Sequence, residues 1–458
     1  MELDISLANK TGQLDVLPTT PIITLDSGNH LSYDLAVILG RLSVQILLFG
    51  ALALGQSNPA YISFTPGATK GALYKPDAGP SPHVAVLIVH PTANVMSHLG
   101  TRELSKRGFL VLGMNTRSEN NDGVAHVEEN ALDIKSGIEF LRKQPGITKV
   151  LLFGHSGGGP ATGFYQAVAE KGIAYCRGAD KIVSCGTELA NLPPAAGIVF
   201  VDAHPGVAVR LRAYNPAMID EADPSKVDAD LDPFNPKNGY NPDGPSHYSP
   251  EFQVKYFKAQ ADRMNRLIEI ALKRQKEIGD DDDVFMVWRS DGARIMELDP
   301  SIHHSTLKPQ KLLRNDGSIV TQVVESVRPL GRGTERDNAS FKRGARLLTL
   351  GSFLSVNATR ATNSMDGIDW CSSNYSTPCA VQNITVPVLF TAMGGHYFIR
   401  DNEIHFEMSS SKDKDFIVID GATHGIVPCA ECEKTSGQYS NSVRNFFDYV
   451  QEWINARY

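Results

Sequence analysis

The stretch Lys149–Pro160, KVLLFGHSGGGP, decides how the rest of the chain is read. Val150 to Phe153 form a short apolar run with the composition of a buried strand, and it opens directly onto a glycine-rich turn. Within it, Gly154-His155-Ser156-Gly157-Gly158 matches G-x-S-x-G, the pattern of a nucleophile elbow. A serine held on a sharp strand-to-helix turn needs neighbours without side chains, because a Cβ there meets the adjacent strand and helix. Such a turn lifts the Ser156 hydroxyl above the sheet edge and aims the Gly157 N–H at the same point, where an oxyanion can form. Ala161–Gly172, ATGFYQAVAEKG, then reads as a helix. The competing reading is a plain glycine-rich turn with a buried serine. The strand before it and the helix after it weigh against that.

Upstream of the elbow, Ala60–Tyr74 alternates as an edge hairpin turning at Pro66-Gly67, and His83–Val89 reads as a buried strand ending in His90-Pro91-Thr92. A helix, the strand Phe109–Met114 and an amphipathic helix with Val127, Ala131, Ile134, Ile138 and Leu141 on one face follow. Downstream, Gly197–Val201 is a strand ending in Asp202. This alternation predicts a parallel sheet with helices on both faces. From Val207 the rhythm breaks. A Pro-, Asp- and Asn-rich stretch leads to a long helix over Glu251–Ile278, a hairpin of Val284–Trp288 with Gly292–Met296, and a strand over Ser318–Val327. It returns at Pro387–Ala392, followed by a helix carrying Asp401 and Glu403, the strand Asp415–Ile419, the loop Asp420–Gly425 and a terminal amphipathic helix.

The chain has 458 residues, 42% of them hydrophobic and 21% charged, enough for one large domain with an insertion or for two domains. A net charge of −7 argues against a nucleic-acid binder, since there is no basic excess to neutralise phosphates. The six cysteines fall into local pairs, Cys176 with Cys185, Cys371 with Cys379 and Cys429 with Cys432, which suggests short-loop disulfides and an oxidising compartment. Sequons at Asn9, Asn338, Asn357, Asn374 and Asn383 lean the same way. The polar, acidic start of the chain is not a cleavable signal, which points to the cytoplasm, so the compartment stays open. The apolar run 35–54 is interrupted by Arg41 and Gln45 and reads as a buried helix rather than a membrane span, with an anchor as the alternative.

The order of these pieces resembles the α/β-hydrolase superfamily over about residues 58–206 and 383–458. The pieces that carry the resemblance are VLIVHPTA, LFGHSGGG, VPVLFTA and DGATHG, and the elbow and the late histidine are the specific ones. The resemblance implies a mostly parallel central sheet flanked by helices. It also implies that residues 207–382 form a cap over the active site. Residues 1–57, which carry the apolar run, read as a separate leader.

A serine hydroxyl is a poor nucleophile at neutral pH and needs a base within hydrogen-bond reach. Among the 13 histidines, His424 sits in a glycine-bearing loop after a strand, where the superfamily's histidine resides. His98, His204 and His396 are weaker alternatives; His155 is expected to pack beneath the elbow, and His90 to shape the loop after its strand. The acid that orients the base is less plain. The superfamily's usual position, just beyond PVLFTA, reads Gly394-Gly395-His396-Tyr397, with Asp401 and Glu403 later. Asp202 ends the preceding core strand, where some members resemble it in placing the acid. It ranks first, and Glu403 second. For the oxyanion, Gly157 supplies one N–H, and since Pro91 has none, Thr92 is the candidate for the other.

The function expected is therefore a serine hydrolase cleaving a carboxylic ester of a small organic substrate through an acyl-enzyme. No metal or organic cofactor is implied. Lactone, amide or C–C bond hydrolysis or acyl transfer by the same residues is the alternative, and a catalytically silent binding protein of the same fold is the reading from another class. Aromatics of the insertion, Tyr240, Tyr248, Phe252, Tyr256 and Trp288, are candidates to line the pocket, with ordinary core packing as the competing reading.

Overall fold

Alternating apolar strands and amphipathic helices build a ten-stranded sheet in the computed structural model, which describes residues 59–64, 69–279, 281–290, 294–329 and 344–458. All of these fall within one compact unit, Gln56–Tyr458. The apolar run 35–54, the hairpin turn at Pro66-Gly67, and the sequons at Asn9 and Asn338 lie outside the described residues.

The edge hairpin forms as expected, with β1 (Ala60–Ser63) antiparallel to β2 (Lys70–Tyr74) and Ala60 opposite Leu73. The βα rhythm then runs through β3 (Val84–His90), α1 (Leu99–Lys106), β4 (Leu110–Asn115), α2 (Val127–Arg142), β5 (Lys149–His155), α3 (Gly158–Lys171) and β6 (Gly197–Val201). The two-residue side-chain period divides each central strand between two apolar layers. Ala85, Leu87 and Val89 of β3 pack with the α2 and α3 residues Ile134, Ile138 and Phe164. Val84, Val86 and Ile88 pack on the opposite side with Leu104 of α1 and with Phe446, Phe447 and Val450. Burial on both faces is why β3 reads as a continuous apolar run rather than an alternating one.

The middle of the chain contributes α4 (Ala208–Leu211), α5 (Pro250–Ile278), β7 (Val284–Trp288), β8 (Gln310–Leu313), β9 (Ile319–Gln322), β10 (Ala345–Thr349), β11 (Ala361–Asn363), β12 (Gly367–Ile368) and α6 (Thr377–Val381). The start of α5 follows from its sequence: the Ser249 side chain accepts the Phe252 N–H, and Pro250 takes the first helical position, where no N–H is needed. Met264, Leu267, Ile268 and Ala271 of α5 bury against Phe285, Leu348 and Phe353 in an apolar cluster separate from those of the sheet. The rhythm resumes with β13 (Val388–Met393), α7 (Ile399–Met408), β14 (Lys414–Ile419) and α8 (Ser442–Asn455).

The middle segment differs from the expectation in two ways. Two of its strands, β8 and β9, extend the central sheet beyond β14, so the segment is not wholly outside the core. β7 pairs with β10, so its partner edge is supplied from far along the chain. Residues Ile295–Glu297 form a helical turn instead. Tyr248 and Tyr256 are buried in a cluster of their own with Phe234 and Met296, so they serve packing.

The sheet order is β1-β2-β4-β3-β5-β6-β13-β14-β8-β9, with the strands from β4 to β8 running parallel. The order reverses between β3 and β5. Helices leaving adjacent strands on opposite faces open a crevice at the C-terminal strand ends, which is where open α/β sheets bind ligands.

Candidate active site

Ser156 follows β5 at that crevice, with φ of +55°. A side-chain-bearing residue in the left-handed region costs on the order of 1–3 kcal/mol and persists only where its surroundings hold it. Here the Ser156 N–H donates to the Val201 carbonyl at 3.0 Å, and the Ser156 carbonyl accepts the Gly159 N–H at 3.0 Å. The Tyr375 hydroxyl donates to the Gly157 carbonyl at 2.9 Å. A Cβ on Gly158 would collide with the Val89 carbonyl, so the close approach of α3 to β3 demands glycine there.

Asp202, His396 and His424 come together because they leave the ends of three neighbouring strands, β6, β13 and β14. His424 Nδ1 lies 2.6 Å from Asp202 Oδ2. The other carboxylate oxygen accepts the Met393 N–H at 3.1 Å, and the Asp202 N–H donates to the Thr391 carbonyl at 2.8 Å. Asp202 is fully buried. Burial alone raises its pKa, but His396 and His424 more than offset this and hold the carboxyl below the usual carboxylate range. An ionised Asp202 places the His424 proton on Nδ1 and leaves Nε2 free to accept one. Ser156 and His424 line one cavity of about 270 Å³.

His396 is a feature the sequence reading ranked only as a weaker base. Its Nδ1 approaches the same Asp202 oxygen at 2.7 Å, off the line of a hydrogen bond, and its ring stacks on His424 with centroids 4.3 Å apart. Its position just past the end of β13, a core strand neighbouring β6, was the available signal. Asp401 and Glu403 lie elsewhere. Asp401 pairs with Arg212 at 2.9 Å, and Glu403 accepts the Leu307 and Lys308 N–H groups at 2.7 and 3.0 Å, tying down the entry to β8.

On the opposite wall, His90 Nδ1 accepts the N–H groups of Thr92 at 3.1 Å and Ala93 at 2.8 Å. The Thr92 N–H expected to face an oxyanion is thus turned into the His90 ring. The same bonds fix the tautomer, since a nitrogen that accepts cannot carry the proton, so the His90 hydrogen sits on Nε2. His204 is fixed in the same way, its Nδ1 accepting the Gly206 N–H at 2.9 Å. Both Nε2 atoms converge on Gly157: a Cβ there would lie 2.8 Å from His90 Nε2 and 3.1 Å from His204 Nε2. Burial, with repulsion from His424 and His98, lowers the His90 pKa to about 4, and burial with neighbouring cations pushes His204 well below the ordinary value. Both rings are neutral N–H donors near neutral pH.

A third set of histidines supports the His424 loop from behind. His98 Nδ1 accepts the Gly100 N–H at 3.0 Å, which puts its proton on Nε2, 2.9 Å from His155 Nδ1. His155 Nε2–H then donates to the His424 carbonyl at 2.7 Å. His155 lies beneath the elbow, as its place in G-x-S-x-G suggested, and it anchors the backbone of the His424 loop.

The sheet order, the reversal at β3 and β5, and the strained serine at the tip of β5 together decide the architecture. The chain has the α/β-hydrolase fold. No family model matches the sequence, and no curated protein does either. Solved structures of similar fold include Est1E from Butyrivibrio proteoclasticus, at 12% identity and a TM-score of 0.39 over 87% of this chain and 98% of that one. Another is a soluble variant of monoglyceride lipase from Saccharomyces cerevisiae, at 12% and 0.38 over 88% and 97%. DcsB, solved with its substrate analogue, gives 12% and 0.43 over 87% and 98%. Values this low carry no functional argument for this α/β-hydrolase fold, and its chemistry has to come from its own site.

Asp202, His396 and His424 are also the one group of donors, among the described residues, close enough to share a metal ion. Tetrahedral zinc with bonds of about 2.0–2.1 Å spreads its ligands to about 3.3 Å apart. The 2.6 and 2.7 Å separations from Asp202 Oδ2 to the two imidazoles are tighter than that, and the His424 contact is that of a hydrogen bond. All six cysteines form the three local disulfides. The sequons divide: Asn357 and Asn374 are buried, and their side-chain amides donate to Ser352 and to Glu128 and Val183, so neither can carry a glycan in the fold. Among the described residues, no helix is long and apolar enough to cross a membrane.

Proposed function

We propose that this chain is a serine hydrolase that cleaves a carboxylic ester of a small organic substrate through an acyl-enzyme. The observation that carries the reading is the 2.6 Å contact of His424 with the buried Asp202, in a cavity that also holds Ser156 on its strained turn. Ser156 Oγ attacks the ester carbonyl while its proton passes to His424 Nε2, and Asp202 stabilises the imidazolium that forms. The intermediate collapses as His424 returns the proton to the leaving alcohol. A water then repeats the sequence on the acyl group and frees Ser156.

The oxyanion is met by the Gly157 N–H, one of the first-turn donors that a helix leaves unpaired, and by the Nε2–H groups of His90 and His204. Neutral imidazoles suit this role, because they donate without bringing a proton acidic enough to protonate the oxyanion outright. The middle segment acts as a cap, supplying Val209, Asn357 and Tyr375 to the cavity wall. The three disulfides favour an oxidising compartment, and non-reducing peptide mapping of the native protein should show the Cys371–Cys379 bridge; six free thiols would remove that inference.

The test is labelling with a fluorophosphonate probe, followed by turnover of p-nitrophenyl esters of increasing acyl length. Labelling at Ser156 and hydrolysis of the shorter esters is expected. Absence of both would overturn the hydrolase reading.

A further inference from the structure

The cavity beside Ser156 has a charged side that the ester chemistry leaves unused. Arg210 on α4 and Arg346 on β10 both line it, together with Asp122 from the loop between β4 and α2. Both guanidinium groups reach the same Asp122 oxygen. Arg346 makes the close ion pair, and Arg210 Nη2 stands off at 3.5 Å. A guanidinium keeps its charge at any accessible pH, so one carboxylate leaves the pair with one positive charge in excess. The other groups in the wall do not offset it. His90, His204 and His396 are held neutral or pushed toward it by burial, and Asp202 sits behind the histidines rather than in the wall.

Arg210 has no other ion pair among the described residues, and burial together with repulsion from Arg346 lowers its pKa. A cation placed partly out of water against another cation is costly to the fold unless a counter-ion arrives. The fork of a guanidinium matches a carboxylate in two parallel hydrogen bonds, and an excess of one charge matches a monoanion better than a dianion such as a phosphate monoester. A cavity of about 270 Å³ is at the small end of ligand sites, so the anion and the ester belong to one short molecule.

We propose that the substrate of this site carries a carboxylate, held by Arg210 and Arg346, on the part of the molecule remote from the scissile ester. A half-ester of a short dicarboxylic acid has the required chemistry. This rests on the serine-hydrolase reading for its catalytic arm but not for its binding arm.

The catalytic arm compares kcat/KM for p-nitrophenyl hemiglutarate and p-nitrophenyl valerate, which differ mainly in the terminal carboxylate. The wild-type protein should prefer the hemiglutarate by about 10- to 100-fold, the range of a charged hydrogen bond. In Arg210→Gln the preference should fall toward one, and in Arg210→Lys part of it should survive. The binding arm is calorimetry of monomethyl glutarate on Ser156→Ala and on Ser156→Ala/Arg210→Gln, with circular dichroism to check that both are folded. Binding at least tenfold weaker in the double variant is expected. No preference in the wild type, a preference unchanged by Arg210→Gln, or equal binding by the two serine variants would overturn the carboxylate site. Failure of fluorophosphonate labelling would instead remove the hydrolase reading, and calorimetry would still judge the arginines.

Discussion

Two buried carboxylates stand at neighbouring places along the C-terminal edge of the sheet, and their partners differ. Asp401, on α7, is held by Arg212 at 2.9 and 3.2 Å and lies 3.3 Å from His303. Asp202, at the end of β6, faces the imidazoles of His424 and His396. For both, burial alone would raise the pKa, and the neighbouring positive groups more than offset it. A guanidinium is charged throughout, so the Asp401–Arg212 pair is static and ties α7 to the segment that follows β6. His424 and His396 line the cavity with Ser156, whereas Arg212 and His303 do not, so the partners of Asp202 face the space where a substrate would sit and those of Asp401 do not. Burial and a depressed pKa are common to the two sites. What separates the two is whether the partners open onto the cavity that holds Ser156.

The largest effect expected is that of Ser156→Ala, a loss in kcat of about 10⁶-fold with the fold intact, read from steady-state ester hydrolysis. Wild-type turnover by this variant would place the chemistry elsewhere and make the comparison of the carboxylates idle.

Asp202→Asn comes next, with a kcat loss of about 10⁴-fold, because an amide no longer holds the His424 tautomer. Glu403→Gln should leave kcat within a few-fold, since its oxygens are occupied by the chain entering β8. The reverse ranking would move the orienting acid to α7.

Asp401→Asn sharpens the contrast from the other side. Removing one partner of a buried pair leaves the Arg212 charge uncompensated and should cost about 3–5 kcal/mol of stability, measured by urea unfolding, with kcat changed far less than by Asp202→Asn. A large loss of kcat at full stability would mean that the two carboxylates do not differ as argued.

His396→Ala removes one of the two imidazoles on Asp202, and a kcat loss of about tenfold, or about 1.4 kcal/mol, is expected together with a shifted acid limb of the pH profile. An unchanged profile would reduce His396 to packing.

A last effect is in stability against pH rather than in turnover. The folded-state pKa values of His90, His98 and His405 lie near 4, chiefly through burial, below the ordinary value of 6.5. The unfolded chain then binds more protons between these limits, so stability should fall as the pH drops from about 6.5 toward 4 and should not respond to these groups above 6.5. A melting temperature that stays flat across that window would show these rings to be solvated.

The sequence by itself determined the parts of the molecule where chemistry and backbone are local. The elbow could be read because a serine on a tight turn between β5 and α3 requires glycine at fixed offsets. The central strands could be read because burial on both faces leaves continuous apolar runs. The disulfide partners could be read because each pair is close in sequence. His424 needed the order of the elements as well, but that order is still a property of the chain.

Only the tertiary structure decided what depends on strands meeting side by side. Asp202 and His424 come from β6 and β14, which are separated by β13, and nothing in either local sequence states that the two loops converge. The pairing of β7 with β10, the addition of β8 and β9 to the sheet, and the capture of the Thr92 N–H by His90 are likewise contacts between edges and rings. The meeting of Arg210, Arg346 and Asp122 is of the same kind. Each depends on register and on the direction of side chains at the sheet edge, and residue spacing along the chain carries neither.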